Sequence, residues 1–104
     1  TLQNYPTMVS ATQNGLQTDV AINTADLQNG VNFTVELFSS QSCDASGFGE
    51  GTNFLGSFVV TGGTGQVVLS AGAVPVGFGV SATATSSTNQ TSEFSNCVAA
   101  VGSF

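Results

Sequence analysis

The chain has 104 residues, of which six are Asp or Glu and none is Lys, Arg or His, so its formal net charge at pH 7 is -6. Without those basic types there is no Ser-His or Cys-His nucleophile system, no Schiff-base lysine and no phosphate-cradling P-loop. Nucleic acid and anionic membrane surfaces, which are gripped through cations, are not expected as partners of a chain that would be repelled by them.

Hydrophobic residues make up 40% of the chain, including eight Phe, which is enough for a core and speaks against disorder. A single domain over 1–104 is expected. Abundant Ser and Thr with 13 Gly disfavour helices and suit strands joined by tight turns. No run approaches the roughly 20 apolar residues of a membrane-spanning helix, and no basic leader region stands at the front. With a start at Thr1, these features lead us to expect a processed, secreted chain or one repeat of a longer surface protein.

In chain order, the first candidate strands are Thr7 to Gln13 and Leu16 to Leu27, separated by Asn14-Gly15, a dipeptide suited to a type I′ hairpin turn. Asn29-Gly30 is read in the same way, as a hairpin turn before the clearest strand. There Val31, Phe33, Val35 and Leu37 alternate with Asn32, Thr34 and Glu36, which predicts one core face and one solvent face. Phe54 to Thr61 and Gln66 to Ala71 follow, divided by Gly62-Gly63-Thr64-Gly65. After a loop at Ala73 to Gly77, Phe78, Val80, Ala82 and Ala84 alternate with Gly79, Ser81, Thr83 and Thr85, again as core against solvent. Ser86 to Gln90 reads as a loop and Phe94 to Val101 as the last strand. Seven short strands at this spacing predict an all-β, antiparallel, immunoglobulin-like β-sandwich, with a small barrel as the alternative architecture. The Trp that packs on the disulfide of antibody domains is absent.

Cys43 follows the best strand and Cys97 lies in the last, and an even count in a secreted-looking chain predicts a disulfide between them. On the chain-entropy account such a closure stabilises by about 4 kcal/mol. Neither thiol has a basic neighbour in sequence to activate it, and two cysteines fall short of a structural zinc site.

The segment Cys43-Asp44-Ala45-Ser46-Gly47-Phe48-Gly49-Glu50-Gly51, continued by Phe54-Leu55-Gly56-Ser57, resembles a repeat of large secreted bacterial surface and adhesin-like proteins. Phe33 to Ser40 ahead of the first cysteine, Val74-Pro75-Val76-Gly77, Ala82 to Thr85 and Thr91-Ser92-Glu93-Phe94-Ser95 before the second continue the likeness in order. It covers roughly Ala25 to Val98. The family usually carries Pro where this chain has Ala45, and Gly-Asn-Thr-Ser where it has Asn89-Gln90-Thr91-Ser92. The resemblance implies an extracellular, non-catalytic immunoglobulin-like spacer or assembly module without an active site.

The remaining candidates are weaker. Asp44 and Glu50 flank a Gly-rich loop and are the carboxylates that calcium could use, although the pattern is far from an EF-hand. Asp19, Asp26, Glu36, Asp44, Glu50 and Glu93 are scattered, and no pair stands out for glycosidase chemistry, which needs carboxyl groups roughly 5 to 9.5 Å apart. Asn32-Phe33-Thr34 and Asn89-Gln90-Thr91 satisfy the N-glycosylation pattern at Asn32 and Asn89. Tyr5, Phe38, Phe48, Phe54 and Phe104 are the aromatics that no clean alternation assigns to the core, and they are the candidates for a sugar-stacking surface.

Taken together, these features lead us to expect a structural subunit or repeat of a cell-surface filament, stalk or adhesin, with no enzymatic activity and no cofactor. Its expected partners are copies of itself, joined head to tail by strand complementation through 1–13 or 98–104, which would otherwise serve as terminal strands or linkers. The alternative is a module that binds surface glycans or another protein.

Overall fold

In the computed structural model, residues 7–25, 27–41, 43, 53–87 and 95–102 are described. They form seven strands: β1 Thr7–Asn14, β2 Gln17–Asn23, β3 Asn32–Ser40, β4 Asn53–Thr61, β5 Gln66–Gly72, β6 Gly79–Ser86 and β7 Val98–Gly102. Hydrogen bonding joins them in the order β4-β3-β6-β7-β1-β2-β5. The protein is therefore all-β, with one mixed sheet curled around one core and closed by a single disulfide.

β3 follows its alternation closely. Phe33, Val35 and Leu37 are buried, while Asn32 and Thr34 are exposed. Opposite Leu37 and Val35 the neighbouring strand β6 places Ala82 and Ala84, so large side chains on one strand meet small ones on the next. Val20, Ile22 and Leu69 from the β2-β5 half complete the same core.

Four expectations are corrected. The first concerns β6, which is buried on both faces: Ser81 is 2% exposed and Thr83 8%. β6 runs between β3 and β7, and its polar positions lie beside the half-buried Phe38 and Glu36, which are paired with Ser81 and Thr83. Small hydroxyl side chains fit such a central position, where period two by itself suggests solvent.

The second concerns the sheet, in which five pairings are antiparallel but β1 and β7 run parallel. β7 changes partner along its length, pairing Val98 and Ala99 with β6 and then Ala100 to Gly102 with β1. Parallel neighbours need a long connection, which the whole intervening chain supplies.

The third correction is Asn29-Gly30, which turns no hairpin. β2 and β3 do not pair with each other, and residues 24–31 cross from the β2-β5 half to the β3-β4 half. The fourth is the first hairpin, which is shifted by one residue: Asn14 pairs with Gln17, so the turn is Gly15-Leu16 and Leu16 projects into solvent, 94% exposed.

In β1 the register slips between Met8 and Ser10, a bulge that leaves Val9 outside. The bulge lets Met8 and Ala11, three residues apart, both face the core.

Candidate assembly edges and the disulfide clasp

β4 and β5 end the strand order, and among the described residues each has one paired neighbour and a second edge that no described strand pairs with. Neither Asn53–Thr61 nor Gln66–Gly72 contains a charged residue or a proline. Natural edges are commonly blunted by such residues, because an unpaired row of N–H and C=O groups templates a further strand. Val59 on β4 and Val68 on β5 are 72% and 61% exposed, which adds apolar surface beside the edges. β5 is the more regular of the two: its ladder with β2 runs from Gln17↔Gly72 to Asn23↔Gln66 without a bulge, whereas β4 is bulged at Leu55.

The segments expected to be exchangeable are held in the sheet over their described parts. β1 pairs with both β2 and β7. Where β1 begins, the Asn96 side chain stands in for a strand: its Oδ1 accepts from Met8 N at 2.8 Å and its Nδ2 donates to Met8 O at 3.1 Å. Just before it, Ser95 Oγ accepts from Ala82 N at 2.9 Å and donates to Asn96 O at 2.8 Å, which satisfies a fully buried hydroxyl.

Cys43 and Cys97 form the disulfide, with their Cα atoms 5.5 Å apart. It lies over Gly79, the first residue of β6. A Cβ built on Gly79 would stand 2.5 Å from Cys97 Sγ and 3.0 Å from both Cys43 N and Cys43 Sγ. Only glycine leaves room for this crossing. Gly79 is the position beneath the clasp that pattern reading misses, since it sits in the polar phase of an alternating run; the one hint in the sequence is a glycine where Ser and Thr otherwise recur.

Of the six carboxylates, Asp19 and Glu36 are described. Asp19 Oδ1 accepts from Gln17 Nε2 at 3.0 Å and from Ser70 Oγ at 3.1 Å, tying together the outer face of β2 and β5. Glu36 is half-buried on β3. Asp26, Asp44, Glu50 and Glu93 lie outside the described residues, as do Asn89, Tyr5, Phe48 and Phe104. Among the described residues no three His, Cys, Asp or Glu side chains gather as a metal-binding group.

Asn32 is exposed at the first position of β3, and its Oδ1 accepts from Thr61 Oγ1 at 3.0 Å. Phe38 and Phe54 meet edge to face on the β3-β4 pair, with centroids 5.8 Å apart and planes at 65°, and Phe54 is 59% exposed. No protein-family model matches the chain, and no curated protein matches it either.

Proposed function

We propose that this protein is a secreted, non-catalytic structural subunit or repeat of a cell-surface filament, stalk or adhesin, whose copies join head to tail through their sheet edges. The sheet is read here as an immunoglobulin-like sandwich, with β1-β2-β5 as one layer, β4-β3-β6 as the other, and β7 bridging them. A disulfide in so small a domain is compatible with an oxidising, extracellular setting.

The observation that carries the reading is the pair of edge strands, both free of charge and proline. An edge of one copy adding to the other edge of the next is a heterologous contact, which repeats into an open filament. Addition at β4 and β5 leaves the fold intact. Exchange of β1 or β7 has first to break the pairings that hold them, including the Asn96 bonds to Met8.

Electron microscopy and sedimentation of native material test the proposal. Fibres of uniform width that grow with concentration are expected. Val68→Lys, which places a charge beside the β5 edge, is expected to abolish the fibres while leaving the monomer folded. A species that stays monomeric at high concentration overturns the reading.

One observation favours the alternative of a glycan- or protein-binding module: the exposed Phe54 beside Phe38 is an apolar platform of the kind that sugars stack on. Saturable binding on a glycan array that is lost in Phe54→Ala, together with a monodisperse protein, is the result that favours it.

A further inference from the structure

We propose that Asn14 is a self-modification site, converted to aspartate and isoaspartate through a succinimide formed with Gly15, while Asn29, in the same Asn-Gly dipeptide, is protected by the fold. In this reaction the backbone nitrogen of Gly15, after losing its proton to solvent, attacks Cγ of Asn14. The new N–Cγ bond forms as the Cγ–Nδ2 bond breaks, and the side-chain nitrogen takes a proton back from solvent and leaves as ammonia. Water then opens the ring at either carbonyl, giving aspartate or its isomer. Water is the only co-reactant, and no oxidation or reduction occurs.

The chemistry needs an accessible, unbonded N–H after the asparagine and a following residue with no Cβ in the way. The first turn meets both conditions. Asn14 is exposed, Gly15 has a φ of 68°, and no heavy atom lies within 4 Å of a Cβ built there. Among the described residues neither the Gly15 N–H nor the Asn14 side chain has a hydrogen-bond partner. The neighbouring Leu16, 94% exposed, marks a turn that stands clear of the sheet.

The second dipeptide is as exposed, and Gly30, with a φ of 78°, has as much open space, but its hydrogen bonding differs. Gly30 N donates to Gly62 O at 3.0 Å, and Val31 N donates to Gln28 O at 3.2 Å across the same turn. The Asn29 Oδ1 occupies the space against Gly63. For Gly30 N to reach Asn29 Cγ, the crossing has to open first.

Each event adds one negative charge, taking the formal net charge from -6 to -7. The isoaspartyl product also inserts a carbon into the backbone at the pair Asn14↔Gln17, which closes the β1-β2 hairpin. The site therefore records the age of a chain and loosens the tip of β1 as it does so.

The test is incubation of the native protein in mildly alkaline heavy-oxygen water, followed by pepsin digestion and mass-spectrometric sequencing, since a chain without Lys or Arg has no trypsin site. Label is expected at Asn14 about tenfold faster than at Asn29, the factor a net hydrogen bond or slightly more supplies. In the unfolded, reduced chain the two sites are expected to react at similar rates. Equal rates in the native protein overturn the proposal, and so does a preference for Asn14 that persists unchanged after unfolding. In Asn14→Gln the slow shift of the native protein to a more acidic band is expected to disappear; its persistence places the reaction elsewhere and overturns the assignment.

Discussion

The two ends of β3 are secured by different physics. Ahead of Asn32, the 24–31 crossing meets the 62–65 turn backbone to backbone. Thr24 N donates to Gly65 O at 2.8 Å, Gly63 N to Thr24 O at 2.9 Å and Gly62 N to Val31 O at 2.8 Å. The buried Thr24 Oγ1 adds bonds to Gly65 O at 2.9 Å and Thr64 Oγ1 at 3.0 Å. Glycine makes the approach feasible, since a Cβ on Gly62 would overlap the Gln28 carbonyl oxygen. Beyond Ser40 the situation is reversed. β3 and β7 both pair with β6, which separates them and denies them a shared ladder. The link there passes over β6 through side chains, as the Cys43–Cys97 bond above Gly79. Where two crossings can lie side by side, backbone hydrogen bonds hold them; where a strand intervenes, a covalent bond does.

Removing the clasp is expected to have the largest effect. Cys43→Ser with Cys97→Ser should lower stability by about 2–5 kcal/mol, read by denaturant unfolding, and a loss near zero would break the contrast by showing the hydrogen-bonded end to be sufficient. Gly62→Ala comes next, at about 3 kcal/mol, because the atom it meets is backbone and cannot swing away. Gly79→Ala should cost less, about 1–3 kcal/mol, and a double-mutant cycle with Cys97→Ala should show the two coupled, since the second change removes the sulfur that the new methyl strikes. Additive losses would mean that the disulfide does not press on Gly79. Thr24→Val removes two hydroxyl bonds in a buried site and should cost about 1–2 kcal/mol, with faster hydrogen exchange at Gly62 and Gly63. Thr61→Val, which removes only the exposed bond to Asn32, should change stability by no more than about 0.5 kcal/mol.

Much of this was legible before any fold was known. The alternation of Phe33, Val35 and Leu37 identified β3 and its buried face, because side-chain direction along a strand is a local property. The cysteine count and context pointed to the bond that the structure contains. Other features were not legible. Ser81 and Thr83 have the pattern of a solvent face and are buried, because burial depends on what the fold packs around β6 and not on the strand's own alternation. Asn29-Gly30 has the composition of a hairpin turn, yet its flanking strands take other partners. Of the candidate site, the lack of Lys was visible at once, but which two strands it leaves unguarded was not.

By itself, the amino-acid sequence determined the lack of Lys, Arg and His in these 104 residues, the strand-rich character and the presence of one cysteine pair, all of which follow from composition and short-range periodicity. Tertiary structure alone decided that β4 and β5 end the order of the described strands, that β1 and β7 run parallel, that Gly79 lies beneath the disulfide, and that one Asn-Gly turn is tied while the other stands clear. These are choices of partner between residues far apart in the chain, and no local pattern encodes them: a strand carries the same alternation whichever neighbour its backbone finds.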